Sequence, residues 1–333
     1  MTMNKIKKYI CLIMSTVVLC IFVCGCAQDS MHASPQGGYE VTDCRGTVVK
    51  IPKKPQHIVT LSMYTDAIAL GMVTTDKMAA MQALSDDPMN SNIVDKAKKI
   101  PKKLKSPSTE EIFALHPDLV IASEWTSADI VGGLRELGLP VIVCKSVVQV
   151  ADIKDCIHLI AQALQEEEKG ELVIQKMDAE LADITKKVNC IPQEQRKNVV
   201  LLSLMESYGG IGCSFDTMCK YAGVVNGMAV AGIHSGQTMS KEMLVNINPD
   251  ILLLSSYNDH GTYDVTKFNR EYLDDPSLQT INAIQKNGLR YPREGYIYNA
   301  SQDFVYGVKE IAYVAYGDEF AQGSDCHISF SGE

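Results

Sequence analysis

Two stretches of this chain, residues 110–123 and residues 242–255, repeat one pattern and align without a gap. Each begins with a glutamate, has a Pro-Asp pair in its middle and continues as an unbroken aliphatic run that ends in serine. Because proline disfavours helix in the residue before it, a short helix is expected to end at each Pro-Asp pair and a buried strand to follow. The repeat therefore predicts two bodies of similar design.

A second correspondence supports this prediction. Residues 58–62 and residues 199–203 each form a short aliphatic run that ends in serine, one near the start of each half. Such runs suit strands that are buried on both faces, as in parallel sheets covered by helices. The predicted fold class is α/β, with two Rossmann-like lobes and mostly parallel sheets.

A proline-free stretch, residues 166–188, separates the two halves. Its apolar residues recur at steps of three and four residues and predict one face of a long helix: Val173, Met177, Leu181, Ile184 and Val188. This helix is expected to tie the lobes together. Gly170 is expected to mark its true start, because glycine is a poor helix former. A surface helix within a single domain is the alternative, which the repeat makes less favourable.

The predicted organisation follows from these segments. The chain divides into a signal peptide at 1–25, a lipidated tether at 26–38, a first lobe at 39–165, the linker helix at 166–189, a second lobe at 190–317 and a polar tail at 318–333. The predicted strands are 39–43, 47–51, 58–61, 78–81, 119–122, 141–144, 199–204, 251–254 and 295–298, and further helices are predicted at 128–137, 152–164 and 302–316. The tail is expected to be disordered because it is polar.

The N-terminus has the pattern of an export signal. Lysines precede an apolar run at residues 9–23, and the sequence Val23-Cys24-Gly25-Cys26 resembles the lipobox of bacterial lipoproteins. We therefore predict lipidation of Cys26 and a membrane-anchored protein on the extracytoplasmic face. A transmembrane anchor is the alternative, but the apolar run is short for a membrane span.

Charge and cysteine spacing exclude some functions. The chain has 40 acidic residues against 31 lysines and arginines, so nucleic acid, which requires concentrated positive charge, is not an expected partner. The cysteines from Cys44 to Cys326 lack CxxC spacing, so no structural metal site and no cofactor is predicted.

A wider resemblance is carried by residues 43–52, 55–62 and 69–71 together with the two repeated blocks and the lipobox. In this order they resemble the substrate-binding proteins of ABC importers, in the class whose lobes are joined by one rigid helix and which serves uptake of iron-siderophore complexes, haem and cobalamin. The resemblance spans about residues 39–317. Two residues depart from the family pattern. His57 stands where arginine is usual, and Asp66 stands where glutamate is common. It implies a monomeric binding protein with little hinge motion that delivers a metal chelate to a permease and its ATPase.

Ligands of open α/β sheets bind beyond the carboxyl ends of the strands, so the loops at these ends are predicted to face each other across a cleft. The first lobe would contribute Ser62, Tyr64, Met81, Gln82, Glu124, Trp125 and Thr126, and the second lobe Glu206, Tyr208, His234, Tyr257, Asn258, Tyr298 and Gln302. Trp125 is the only tryptophan, and a flat chelate or corrin could stack on it, with a packed loop anchor as the alternative. His234 could bind a metal centre, although a lone histidine in a glycine-rich loop is more often solvated.

The predicted walls contain no arginine. A catecholate siderophore or the propionates of haem would favour guanidinium partners, whereas a neutral hydroxamate complex or a corrinoid would not. The family class favours iron complexes and the walls favour neutral ligands, so iron chelate, corrinoid and haem all stay open at this point.

Glu110 and Glu242 lie at the starts of their predicted helices, after the candidate caps Ser108 and Ser240. Stabilisation of the helix dipole is a complete structural explanation for an acid in this position. The resemblance implies more, because in this family a glutamate on each lobe forms salt bridges with arginines of the permease.

No catalytic constellation is found, so the chain is not predicted to be an enzyme. The glycines at 209, 210 and 212 lack the spacing of a nucleotide-binding loop. Two alternatives of other classes are a metal-cluster enzyme or assembly scaffold, for which Cys213 and Cys219 are too isolated, and a surface sensor, which the fold alone does not exclude.

Overall fold

The structure is a computed structural model that describes residues 37–205, 208–256 and 263–332. The predicted signal, the lipid site Cys26 and most of the tether lie outside these residues. Within the described ranges, no helix combines the length and the apolar character that crossing a bilayer requires.

The first lobe is built on a five-stranded parallel sheet with the strand order β5-β4-β3-β6-β7. An antiparallel hairpin of β1 (Tyr39–Thr42) and β2 (Val48–Ile51) precedes the sheet strands β3 (Ile58–Thr60), β4 (Met78–Gln82), β5 (Lys103–Leu104), β6 (Leu119–Ser123) and β7 (Val141–Cys144). The helices of this lobe are α1 (Met63–Leu70), α2 (Val94–Ala97), α3 (Thr109–Phe113), α4 (Ala128–Glu136) and α5 (Val150–Leu164). Every residue of β6 and β7 is buried, which explains their unbroken aliphatic sequences.

One helix, α6 (Glu167–Val188), connects the lobes and extends for about 33 Å at 1.5 Å per residue. All residues of its predicted apolar stripe are buried. Near its start, Lys169 donates a hydrogen bond to the carbonyl of Met72 in the first lobe at 2.9 Å. Further along, Glu180 pairs with Lys309 of the second lobe at 2.6 Å. The helix therefore contacts both lobes, as predicted.

The prediction for Gly170 is wrong. The helix begins at Glu167, and Gly170 lies buried inside it. A Cβ atom added at Gly170 would lie 2.7 Å from the Cβ atom of Ala161 in α5. Glycine is needed here because the two helices cross at close range.

The second lobe is built on a four-stranded parallel sheet with the strand order β11-β10-β8-β9. Its strands are β8 (Asn198–Leu201), β9 (Val225–Asn226), β10 (Ile251–Leu253) and β11 (Leu289–Arg290). Its helices are α7 (Ser214–Tyr221), α8 (Gly227–Val230), α9 (Lys241–Ile247), α10 (Val265–Leu273), α11 (Asn282–Gln285), α12 (Glu294–Ile297) and α13 (Phe304–Tyr316). Two α/β lobes with parallel sheets are the architecture that the repeat predicted.

The repeated Pro-Asp pairs make equivalent contacts in the two lobes. The carboxylate of Asp118 accepts a hydrogen bond from the backbone N–H of His57 at 2.8 Å, and that of Asp250 accepts one from the backbone N–H of Asn198 at 3.0 Å. His57 directly precedes β3 and Asn198 is the first residue of β8, and these strands pair with β6 and β10. The repeated aspartate therefore fixes where each pair of neighbouring strands begins.

Two predictions near the end of the chain are wrong. Residues 295–298 do not form a strand, because helix α12 occupies Glu294–Ile297 and the last strand is β11. The polar tail is not disordered. It contains a short 3₁₀ turn at Asp318–Phe320 and then packs on the protein, where Phe320 and Ile328 are buried.

Candidate functional site

The space between the lobes contains two adjoining cavities of about 470 Å³ and 550 Å³, called here the inner and the outer cavity of the cleft. Both volumes lie within the range of about 300–1,000 Å³ that is usual for small-molecule sites. The cavities share four lining residues: Met63, Tyr64, Tyr298 and Ala300. The described loops around them follow the carboxyl ends of β3, β4, β6 and β8, where the arrangement of parallel sheets predicts a ligand site.

The first-lobe wall is built at the start of α1 and at the end of β6. Ser62 directly precedes α1, and the hydroxyl of Tyr64 donates to the carbonyls of Cys144 and Lys145 at 3.3 Å and 3.2 Å. Burial raises the pKa of Tyr64, so its hydroxyl remains a neutral donor. The ring of Trp125 packs edge-on against Tyr64 with a centroid distance of 5.9 Å, yet 68% of Trp125 is exposed. Trp125 therefore presents much of its indole to the outer cavity.

The second-lobe wall depends on a pair of tyrosines. The hydroxyl of Tyr298, just after α12, donates to Oγ of Ser203 at 2.7 Å. Tyr208 packs behind it at a ring-centroid distance of 4.9 Å, and its hydroxyl lies 2.8 Å from Oγ of Ser214. Burial raises the pKa of both tyrosines. Tyr298 thus faces the cleft, whereas Tyr208 supports it from inside the lobe.

The inner cavity is closed where the two lobes meet. A Cβ atom added at Gly295 of α12 would lie 2.9 Å from the backbone of Ser91, so the backbones of the two lobes approach closely here. Asn299 donates from Nδ2 to Oδ1 of Asn92 across the same junction at 3.0 Å. Both asparagines line the inner cavity and join the two walls.

The described lining of the cleft is apolar, aromatic and amide-bearing. Lys105 and Glu294 are the only lysine, arginine, aspartate or glutamate residues among the described lining residues, and no arginine is among them. Glu294 accepts hydrogen bonds from Oγ of Ser255 at 2.7 Å and from the backbone N–H of Ser256 at 2.8 Å, and it is 1% exposed. Its carboxyl group therefore holds the loop after β10.

Two predicted wall residues belong to the core instead. Met81 is 0% exposed because it points inward from β4, and its neighbour Gln82 lines the outer cavity. Gln302 is also 0% exposed, and its side-chain amide donates to the carbonyls of Ala67 and Ile328 at 2.8 Å and 3.1 Å. Gln302 joins segments of the fold and does not line either cavity of the cleft.

Other predicted residues lie away from the cleft or outside the described ranges. Glu124 is exposed and accepts a hydrogen bond from the backbone N–H of Ser146 at 2.6 Å, beside a separate depression. His234 is exposed on a loop where its backbone N–H donates to Oε1 of Gln237 at 2.8 Å, and it lines neither cavity. Three predicted wall residues lie outside the described residues: Glu206, Tyr257 and Asn258.

Sequence reasoning missed several lining residues, chiefly Met63, Asn92, Met205 and Asn299. Met63 lies between two predicted residues, and Met205 follows β8, so the rule that places ligands at strand ends could have found both. Asn92 and Asn299 lie in segments that meet only through the packing of one lobe against the other. No local signal marks them.

Glu110 and Glu242 are both exposed in the first turns of α3 and α9. Oγ of Ser108 accepts a hydrogen bond from the backbone N–H of Glu111, and Oγ of Ser240 accepts one from that of Met243, each at 3.2 Å. Hydrogen bonds from its own backbone N–H and from Ser108 lower the pKa of Glu110. The repeat thus presents a capped helix start with an exposed carboxylate on each lobe.

The described residues contain no group of three or more histidine, cysteine, aspartate or glutamate side chains that could hold a metal ion. Cys213 and Cys219 are buried, and burial raises the pKa of both thiols. Neither thiol belongs to a group of three or more possible ligands in the described part of the chain.

Comparison with known proteins gives a consistent result. Residues 58–293 match a family described as periplasmic binding protein. Over 296 residues the chain is 23% identical to an uncharacterised ABC transporter substrate-binding lipoprotein, YvrC, of Bacillus subtilis strain 168, covering 85% of this chain and 87% of the relative. It is 25% identical to the Fe(3+)-citrate-binding protein YfmC of the same strain, covering 84% and 87%. A solved structure, the periplasmic haem-binding protein RhuT from Roseiflexus sp. RS-1, is 22% identical with a TM-score of 0.67, covering 80% of this chain and 99% of that one.

Proposed function

This chain belongs to the periplasmic binding protein family, and on that premise we propose that it captures a neutral ferric chelate of the hydroxamate type between its lobes and delivers it to an ABC permease. Proteins of this family bind substrates for transport. In this proposal the chain carries its cargo without altering it.

The composition of the cleft is the observation that supports a neutral cargo. Its described lining combines Tyr64, Trp125 and Tyr298 with the amides of Asn92 and Asn299, and no arginine is among those lining residues. Polyanionic chelates and carboxylate-bearing ligands are usually held by guanidinium groups. A hydroxamate complex of Fe³⁺ has no net charge at its surface and requires only apolar contact and a few hydrogen bonds. The relatives named for Fe(3+)-citrate and haem support an iron-containing cargo.

A corrinoid or haem is the second candidate, and the exposure of Trp125 favours it. With 68% of its surface exposed, the indole could stack on a planar macrocycle. Haem would also bring two propionates, for which the described lining offers only Lys105 as a cation. Of the two macrocycles, a corrinoid is therefore the better-supported candidate ligand.

The proposal is tested by titrating the purified protein with ferrichrome, haem and cyanocobalamin while the fluorescence of Trp125 is recorded. Because Trp125 is the only tryptophan, its emission reports on the cleft alone. We expect saturable quenching by ferrichrome and weaker or no saturation by the other two. Saturation by haem or cyanocobalamin alone, or by none of the three, would contradict the hydroxamate proposal.

A pair of variants identifies the contact surface by calorimetry, which does not depend on tryptophan emission. Trp125→Ala is expected to weaken binding by roughly 3- to 10-fold, because the ligand loses its apolar contact with the indole. Tyr291→Ala is the matched control, because Tyr291 is 62% exposed but lines neither cavity. Equal effects of both substitutions would argue against the cleft as the binding site.

We further propose that Cys26 carries a lipid that anchors the protein to the membrane, and that Glu110 and Glu242 dock on arginines of the permease. The lipobox-like sequence supports the first proposal, and the relative named as a lipoprotein supports it too. Replacement of Cys26 by Ala is expected to release the protein from the membrane fraction, and retention there would indicate a different anchor.

A further inference from the structure

The segment at residues 322–332, called here the strap, leaves the second lobe and crosses to the first. On the second lobe, Nη1 of Arg293 donates to the carbonyl of Gly323 at 2.6 Å. The hydroxyl of Tyr296 donates to the carbonyl of Ser324 and accepts from the backbone N–H of Cys326, both at 2.7 Å. These contacts fix the first part of the strap against α12.

The second part of the strap is bound to the first lobe at the end of α1. The backbone N–H of Phe330 donates to the carbonyl of Gly71 at 2.7 Å, and Oγ of Ser329 donates to the carbonyl of Leu70 at 3.0 Å. Nζ of Lys96 donates to Oγ of Ser331 at 3.0 Å. The strap is therefore a connection between the lobes that is separate from helix α6.

A buried polar node lies at the middle of the strap and centres on Asp303, which is 0% exposed. Its Oδ2 atom accepts from Nδ2 of Asn92 at 2.8 Å and lies 2.6 Å from Nδ1 of His327. Its Oδ1 atom accepts from the backbone N–H of Ile328 at 2.8 Å. Since a carboxylate can only accept, Nδ1 of His327 carries the proton of that contact. One carboxylate thus binds the first lobe, the strap and the start of α13 together.

The node reaches the cleft through Asn92. Nδ2 of Asn92 donates to Asp303 and to the carbonyl of Cys326, both at 2.8 Å, while its Oδ1 atom accepts from Asn299. Asn92 is 4% exposed, and Asn92 and Asn299 both line the inner cavity. The side chain of Asn92 is consequently held on one side by Asp303 and the carbonyl of Cys326, which do not line the cleft, and on the other by Asn299, which does.

We propose that Asp303 and His327 are positioning residues for ligand binding, which hold the strap across the lobe junction and so fix the separation of the two cleft walls. A buried acceptor that serves three donors is costly to remove, because each donor then loses its partner away from water. Loss of the carboxylate would weaken the hold on the strap and on Asn92 together, because His327, Ile328 and Asn92 all contact it. The effect on affinity rests on the proposed function, whereas the effect on lobe separation does not.

The test measures the distance between the lobes in the full chain without ligand. Spin labels are attached to a ketone-bearing amino acid introduced at the exposed positions Glu136 and Lys286, one on each lobe, which leaves the native cysteines unlabelled. Double electron–electron resonance is recorded for the wild type, Asp303→Asn and Phe330→Pro. Asp303→Asn keeps the shape of the side chain but loses the second acceptor oxygen. Phe330→Pro removes the N–H that binds Gly71, and neither residue lines a cavity of the cleft.

The wild type is expected to give one narrow distance distribution, and both variants are expected to give a broader distribution with longer distances. Phe330→Ala is the matched control, because it keeps the backbone N–H, and it should resemble the wild type. Hydrogen exchange in β6 and β8 should stay slow in all variants if each lobe remains folded. Unchanged distributions in both strap variants, or fast exchange throughout both lobes, would overturn the proposal.

Ligand binding provides the second readout. Asp303→Asn is expected to weaken binding of the chelate identified by titration by about tenfold, the upper range for one hydrogen bond, with Phe330→Ala unchanged. A broadened distance distribution together with unchanged affinity would show that the strap joins the lobes but does not position the cleft. If none of the three chelates binds, the proposed function fails and the resonance experiment still decides whether the strap fixes lobe separation.

Discussion

Asp66 is a carboxyl group with 0% exposure that lies beneath the first-lobe wall of the cleft. Its Oδ2 atom accepts from Oγ of Ser85 at 2.5 Å and from the backbone N–H of Gln82 at 3.2 Å. Gln82 lines the outer cavity and Ser85 the inner one, so Asp66 holds the short 3₁₀ turn Ala83–Asp86 in place. Burial raises the pKa of Asp66 from its ordinary value of 3.8 to about 7. The group is uncharged in the folded protein in a pH range where it is ionised in the unfolded chain.

This difference predicts a pH-dependent stability. Because the folded pKa lies above the unfolded one, the contribution of Asp66 to stability is fully present below about pH 4 and is lost as the pH rises to about 7. The loss is at most about 4 kcal/mol, at about 1.36 kcal/mol per pKa unit. Asp66→Asn keeps an acceptor oxygen and cannot ionise. Urea unfolding at pH 4.5, 6.0 and 7.5 should therefore show the wild type losing free energy of unfolding relative to the variant, and parallel curves would refute the assignment.

At the scale of elements, the crossing of α5 and α6 shows why a residue with low helix propensity can stabilise a helix pair. Gly170 is buried against Ala161, and an added Cβ atom would lie 2.7 Å from that of Ala161. Gly132, inside α4, has no atom within 4 Å of an added Cβ position. The same substitution is therefore expected to have opposite effects at the two glycines.

Gly170→Ala should lower the free energy of unfolding by about 1–3 kcal/mol, because the helices must move apart. Gly132→Ala should raise it by about 0.5–1 kcal/mol, because alanine loses less backbone entropy in a helix. Both are measured by urea denaturation at one pH. A stabilising effect of Gly170→Ala would mean that the helices can separate without cost, contrary to the close crossing.

At the scale of the whole molecule, the repeat gives the two lobes equivalent helix starts, each with a capping serine and an exposed glutamate. Docking on a permease would use both lobes at once, and each glutamate alone would contribute little because exposed ion pairs are weak. The relative arrangement of the two carboxylates then depends on the contacts that fix the lobes, among them helix α6, the strap and the close approach of Gly295 to Ser91.

The double variant Glu110→Ala with Glu242→Ala is expected to abolish uptake of the chelate in cells that express the importer, while the affinity of the purified protein stays unchanged. The matched control is Glu136→Ala with Glu271→Ala, which also removes one exposed glutamate from each lobe. Transport and calorimetry are measured on the same variants. Loss of ligand affinity in the variant that lacks the carboxylates of Glu110 and Glu242 would mean that these two glutamates are structural.

Some features of the protein are determined locally and could be predicted from the sequence. The aliphatic runs, the apolar stripe of α6 and the repeated Pro-Asp pairs depend on near neighbours, so the two α/β lobes and their linking helix were predictable, and the match to the periplasmic binding protein family confirms the resemblance. The rule that ligands bind at strand ends also led to Ser62, Tyr64 and Trp125, which do line the cleft. Tyr298 lines it too, although the strand predicted at 295–298 is helix α12 and its neighbourhood. The prediction that Met81 lines the cleft is wrong. Its side chain points into the core and that of Gln82 to the cavity, because successive side chains of a strand point to opposite faces.

Only the tertiary structure decided how the lobes meet. Asn92, Asp303 and His327 are far apart in the chain and are joined by contacts between segments whose sequences have no shared period or motif. The sequence of the polar tail has no periodic pattern that predicts a helix or a strand. Its side chains and backbone groups nevertheless form hydrogen bonds with both lobes, which hold the tail in place. The physical reason is that periodicity reports which face of an element is buried, whereas a buried hydrogen bond between distant segments depends on where the whole chain brings them.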